Sequence, residues 1–107
     1  MSKSFAALLL VLAAACSQPK ADEASSWIAT LQFTGEQWLA NSVPTSFARA
    51  TIDSADKTLA RVSDPKVARE VSNARAAAQS MRQAIDRNDR IAVANLVKRF
   101  KAMPRSQ

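Results

Sequence analysis

Pro65-Lys-Val-Ala-Arg-Glu-Val-Ser-Asn-Ala-Arg-Ala-Ala-Ala-Gln-Ser-Met-Arg-Gln-Ala-Ile-Asp-Arg87 carries the clearest pattern in the chain. Val67, Val71, Ala74, Ala78, Met81 and Ile85 recur at alternating spacings of four and three residues. That is an unbroken heptad seam, which keeps one side of a helix turned toward partners. Ala77 and Ala84 flank the seam on one side, and Arg75 and Arg82 flank it on the other. The alanines let a neighbouring helix pack closely. The arginines can lay their stems over the rim and keep their heads in water. Asp64 supplies an N-cap, and Pro65 suits the first helical position. A helix with one apolar seam needs other helices to cover it, so this stretch predicts a bundle.

On the N-terminal side, Val43 precedes a proline, which disfavours helix there, and Pro44 suits the start of a new one. The spacing predicts a second helix from about Pro44 to Val62, burying Phe47, Thr51, Ile52, Ala55, Leu59 and Val62. Before it, a first helix is expected from Ser25 or Ser26 to about Ala40. Trp27, Leu31 and Trp38 share its inner face. Gly35 lies beside them, where a neighbouring backbone could come close, and Phe33 points to the opposite side. On the C-terminal side, a short helix ending before Pro104 would bury Val93, Leu96, Val97 and Phe100. Asn88-Asp89 favours a turn, because both side chains compete for local backbone hydrogen bonds. Without that turn the last two helices would merge into one rod.

Gly35 is the only glycine, and no segment sustains a two-residue alternation. The predicted fold is therefore all-α, a small antiparallel bundle of three or four helices joined by short connections. The expected organisation is a leader over residues 1–15, a flexible tether over 16–26 and a helical domain over 27–107.

The composition removes most reaction chemistry. There is no histidine and no tyrosine among the 107 residues, so imidazole triads, imidazole metal sites and phenolic acid–base work are excluded. One cysteine cannot make an internal disulfide or, without histidine, a structural zinc site. No glycine-rich phosphate loop is present, and no cofactor or metal is expected. Ser54-Ala-Asp-Lys57 resembles the Ser-x-x-Lys motif of penicillin-recognising enzymes. Those need a larger fold and further motifs that this chain lacks, so the two residues read as exposed neighbours one helical turn apart. Asp53, between Arg49 and Lys57, and Asp86, between Arg82 and Arg90, read as solvated pairs along single helices, as does Lys66 with Glu70. The chain is expected to be no enzyme.

The start of the chain has its own grammar. Lys3 is followed by the apolar run Phe5-Ala-Ala-Leu-Leu-Leu-Val-Leu-Ala-Ala-Ala15 and then by Cys16, the sole cysteine. The run is too short to cross a bilayer, which takes about 20 apolar residues, but suits the apolar middle of an export signal. With Leu12-Ala-Ala-Ala-Cys16 as processing site, this segment resembles a bacterial lipoprotein signal peptide. Its leucine stands one residue further from the cysteine than usual. The resemblance implies cleavage before Cys16, acylation of that residue and a palmitate-type membrane anchor facing the periplasm. Ser17, rather than aspartate, follows the cysteine, which by resemblance favours the cell outer membrane over the inner one. Ordinary secretion after Ala15, or an uncleaved buried helix, are the competing readings.

Charge is uneven. The whole chain carries +6. From Cys16 to Ala48, Lys20 stands against Asp22, Glu23 and Glu36; from Arg49 onward 13 cations face 6 anions. Arg90, Lys98, Lys101 and Arg105 fall within an arc of about 80° on the last helix. This stripe is either a solvated face or a surface for an anionic counterpart: an acidic protein, anionic lipid or lipopolysaccharide, with nucleic acid not expected in that compartment. Phe33 is either covered by the tether or part of a contact patch. The tryptophan pair reads as core rather than as a sugar-stacking platform.

Two functions fit these features. One is a structural or adaptor lipoprotein that docks on a membrane-associated complex. The other is a protective lipoprotein, either an immunity protein for a periplasmic toxin or an exclusion factor against phage or plasmid entry.

Overall fold

A computed structural model describes residues 21–104. The leader, Cys16 and Arg105 lie outside the described residues. Within them are four α-helices: α1 (Ala21–Leu39), α2 (Thr45–Ala60), α3 (Ala68–Asp86) and α4 (Arg90–Ala102), with a 3₁₀ turn at Pro65–Val67 before α3. Each helix packs on its neighbours in the ring α1–α2–α3–α4–α1, and the diagonal α1–α3 contact is slight. The predicted all-α antiparallel bundle is what the chain forms, in its four-helix version.

The ends of the helices follow from local chemistry. α1 starts at Ala21, earlier than the Ser25 or Ser26 predicted as its cap. Asp22 and Glu23 sit in its first turn, where carboxylates complement the helix dipole, and Ala24 is buried there. Helix therefore replaces the C-terminal part of the expected tether, residues 21–26. α1 and α3 end alike. Asn41 and Asn88 adopt positive φ angles of 59° and 54°. That left-handed conformation lets Ser42 N–H donate to the Gln37 carbonyl and Asp89 N–H donate to the Ala84 carbonyl. In a chain with one glycine, asparagine is the residue best able to close a helix this way. The turn at Asn88-Asp89 separates α3 from α4, and the Asp89 side chain accepts from Ala92 N–H at 3.1 Å to cap α4. Asp64 caps as predicted, accepting from Lys66 N–H at 2.9 Å. The turn it opens is 3₁₀ until Ala68, so α3 itself starts three residues late.

The seam of α3 is the centre of the core. Val71, Ala74, Ala78, Met81 and Ile85 are buried, as are the flanking Ala77 and Ala84; Val67 is half-buried in the 3₁₀ turn. α4 contributes Val93, Leu96 and Phe100 as expected, while Val97, also expected inside, is half-buried. The inner line of α2 is Ala48, Ile52, Ala55 and Leu59. Phe47 was expected inside but is 55% exposed. It lies one residue, about 100°, off that line, and small Ala48 takes the inward place. Thr51 is half-buried for the same reason, whereas Val62 is in phase with the line but half-buried because it lies past the end of α2 at Ala60. On α1, Leu31 and Trp38 are buried, Ile28 joins them, and Trp27 is half-buried against the core. Thr34, the one buried polar side chain among the described residues, donates to the Thr30 carbonyl at 2.7 Å.

Gly35 marks a close approach. A Cβ placed on it would lie 2.6 Å from Val97 Cγ2 and 2.7 Å from Met81 Cε. Side chains of α3 and α4 thus fill the space above the glycine, rather than the neighbouring backbone anticipated from sequence.

Three ion pairs tie α2 to α3: Arg49–Asp86 at 3.1 Å, Arg82–Asp53 at 3.0 Å and Arg75–Asp56 at 2.9 Å. Their order climbs one helix while descending the other, so the two helices run antiparallel. Asp53 and Asp86 therefore pair across the groove, not along their own helices as predicted. The arginines flanking the seam stand next to α2, so the cross-helix carboxylates are within reach. All six side chains are partly exposed, which limits each pair to roughly 0.2–1 kcal/mol.

Gly35→Ala is expected to lower stability. An alanine would gain about 1 kcal/mol in helix propensity, but overpacking costs about 1–3 kcal/mol and Val97 is stiff at χ1. Adding Val97→Ala should reverse part of the loss. Thermal unfolding of both single variants and the double variant measures this; strictly additive effects would contradict the contact.

Candidate functional site

The antiparallel ring gives the molecule two ends. One collects the start of α1, the end of α2, the start of α3 and the end of α4. The opposite end collects the α1–α2 loop and the α3–α4 turn. The predicted site residues divide between them.

Arg90 belongs to the opposite end, and the structure assigns it a packing role. Its guanidinium lies over the Trp38 ring, 5.4 Å from the centroid. Nη2 donates to the Leu39 carbonyl. Nη1 approaches Asn41 Oδ1 at 3.5 Å. A cation on the last carbonyls of α1 also complements that helix dipole. Arg90 thereby fastens the start of α4 to the end of α1. Lys98 and Lys101 are exposed near the other end of α4; eleven residues from Arg90 to Lys101 span about 16 Å. Arg90, Lys98 and Lys101 are all exposed, and of the three Arg90 is the one engaged with the end of α1.

Beside Arg90 lies an open hollow of about 430 Å³, lined by Trp38, Asn41, Pro44, Thr45, Asn88 and Arg90 among others. Trp38 Nε1 donates to Thr45 Oγ1 at 3.1 Å across its wall. Its lining holds no carboxylate, thiol or amine, so it offers neither a base nor a strong nucleophile. A second hollow of about 420 Å³ lies between α2 and α3, bordered by Leu59, Val62, Val71, Arg75, Ala76 and Gln79. Ser54 and Lys57 are exposed on α2, outside both. Among the described residues, no three acidic or cysteine side chains gather as metal ligands. No described helix is long and apolar enough to cross a membrane.

Phe33 is 61% exposed, as its position opposite the inner face of α1 predicted, and no described residue covers it. Two further apolar side chains stand out with it: Phe47, and Ile91 at 78% exposure. Phe33 lies in the last two turns of α1, Phe47 in the first turn of α2 and Ile91 in the first turn of α4. All three are thus in the half of the bundle away from the start of α1. Ile91 was visible in the sequence as a residue outside the Val93–Leu96–Phe100 line. Phe47 was hidden because a large apolar residue next to a small one draws the inner line toward itself.

The structural role of Arg90 is directly testable. Arg90→Ala should cost about 1–2 kcal/mol through loss of the carbonyl contact and the cation–π stack. Arg90→Lys should recover only part of this, since an ammonium lacks the planar fork. Denaturant melts of the two variants give the comparison, and unchanged midpoints would show that the guanidinium supports nothing. Compared with models of known families, with curated proteins and with solved structures, the chain matches none.

Proposed function

We propose that this chain is a non-enzymatic lipoprotein of the cell envelope, anchored through Cys16, whose helical bundle serves as an adaptor for a protein partner beside the membrane. The observation that carries the reading is the order of the first forty residues. An export-type apolar run closes on the sole cysteine, and an amphipathic helix packed into a bundle follows from Ala21. The four residues between Cys16 and Ala21, with the flanking bonds, reach about 17 Å at full extension. An acylated Cys16 would therefore hold the start of α1 close to the lipid. The half of the bundle bearing Phe33, Phe47 and Ile91 would then face away from that membrane, where a partner can reach it. Exposed aromatic side chains are frequent anchors of protein contacts. By its signal grammar the anchor faces the periplasm, with the outer membrane favoured.

The anchor is tested by metabolic labelling with radioactive palmitate. The wild-type chain should take up label and fractionate with membranes, and Cys16→Ser should lose the label and appear soluble or unprocessed. Equal labelling of the two would refute the reading. For the adaptor surface, Phe33→Glu should reduce the protein that copurifies from gently solubilised envelopes while leaving the melting temperature within a few degrees. Copurification that is indifferent to Phe33 would move the contact elsewhere on the bundle.

A further inference from the structure

The charges of the described residues are sorted by position. Arg49, Arg75 and Arg82 are neutralised by Asp86, Asp56 and Asp53 in the α2–α3 pairs. In the half of the bundle away from the start of α1, the remaining cations Arg87 and Arg90 are balanced by Glu36 and Asp89. Everything else lies at the end where α1 begins. There, Lys57 and Arg61 close α2, Lys66 and Arg69 open α3, and Lys98, Arg99 and Lys101 close α4. Against these seven stand Asp22, Glu23, Asp64 and Glu70. Asp64 is also turned onto the Lys66 N–H. The net positive charge of the described bundle, +3, therefore sits wholly at one end. All seven cationic residues are exposed there. None of the exposed large apolar side chains is at that end.

We infer that this end of the bundle rests on anionic phospholipid headgroups of the membrane that holds the anchor. The inference relies on the proposed acylation of Cys16, because that is what places the start of α1 next to lipid. Charge complementarity then favours one orientation. Attraction between exposed charges is appreciable only within a Debye length, about 10 Å at 0.1 M salt, and the short chain from Cys16 to Ala21 keeps this end near that range. Three of the bundle's helix ends contribute cations, so the contact is a surface rather than a single finger. It is non-specific in the sense that any anionic headgroup satisfies it. The consequence is a bundle standing on its basic end, with Phe33, Phe47 and Ile91 held away from the bilayer.

The test uses the intact acylated protein in two kinds of vesicle: phosphatidylcholine alone, and phosphatidylcholine mixed with phosphatidylglycerol. With Cys16 acylated, an introduced cysteine is the only free thiol. Ser63→Cys reports on the basic end and Ser46→Cys on the opposite end; both serines are exposed. The rate of reaction with an uncharged, water-soluble maleimide is read for each. Ser63→Cys should react several-fold more slowly on the anionic vesicles. The difference should vanish at 1 M salt, where screening falls to about 3 Å, and in a variant carrying Lys66→Glu, Lys98→Glu and Lys101→Glu. Ser46→Cys should react alike on both vesicles. If the mass of the protein confirms the acyl chains and Ser63→Cys still reacts equally on both vesicles, the inference falls and the anchor stands. If the mass shows no acyl chains, the anchor reading falls and the inference with it. Should the triple reversal not fold, as judged by circular dichroism, the salt dependence of the wild-type charge set decides alone.

Discussion

The contact of Met81 and Val97 over Gly35 is the constraint on which the bundle depends. There, side chains of α3 and α4 occupy the space that a Cβ on α1 would need. The diagonal α1–α3 contact is slight overall, so the Met81–Gly35 contact limits how deep α1 settles against the seam. The alanines of α2 and α3 extend the same logic. Ala48, Ala55, Ala74, Ala77, Ala78 and Ala84 are buried, so the helices can approach closely around a few large side chains such as Phe100, Leu31 and Leu59. A small domain without disulfides has little surface to hide, and close helix contact is how this chain hides enough.

The fixed packing gives the molecule a direction. Ion pairs on one groove and the Arg90–Trp38–Leu39 contact on another hold neighbouring helices antiparallel. Both ends are therefore built from four helix termini, and their surfaces differ. The net positive charge of the described residues gathers at one end, and their exposed large apolar side chains lie in the other half. α1 begins at the cationic end, so the proposed membrane attachment, headgroup contact and partner docking would occupy separate parts of one small domain.

Much of this was legible in the sequence. The heptad seam, the breaks at Pro44 and Pro65 and the turn at Asn88 follow from steric and capping rules that act within a few residues, so they could be read without knowing the neighbours. What was missed depends on the neighbours. Asp53 and Asp86 have arginines at helical spacing on their own helices, and nothing local reveals that α3 and α2 respectively offer closer ones. Arg90 has the right phase for a basic stripe, and only the fold shows that the end of α1 lies beneath it. Phe47 reads as an inner residue because its size outweighs Ala48 in the pattern. The early start of α1 was masked by Ser25 and Ser26, which are good caps but sit comfortably within a helix that acidic residues already open. The candidate surfaces followed the same division: Phe33 was visible by phase alone, whereas the sorting of charge to one end needed the topology.

The central claim is that the bundle is a membrane-anchored module whose mature chain begins at Cys16. Intact mass measurement of the protein purified from the envelope fraction of its native host tests this most directly. The account predicts a chain that starts at Cys16 and carries the added mass of a diacylglyceryl group, with or without a further acyl chain on the amine. A mass matching the unprocessed chain from Met1, or an unmodified chain beginning at Cys16, would contradict it.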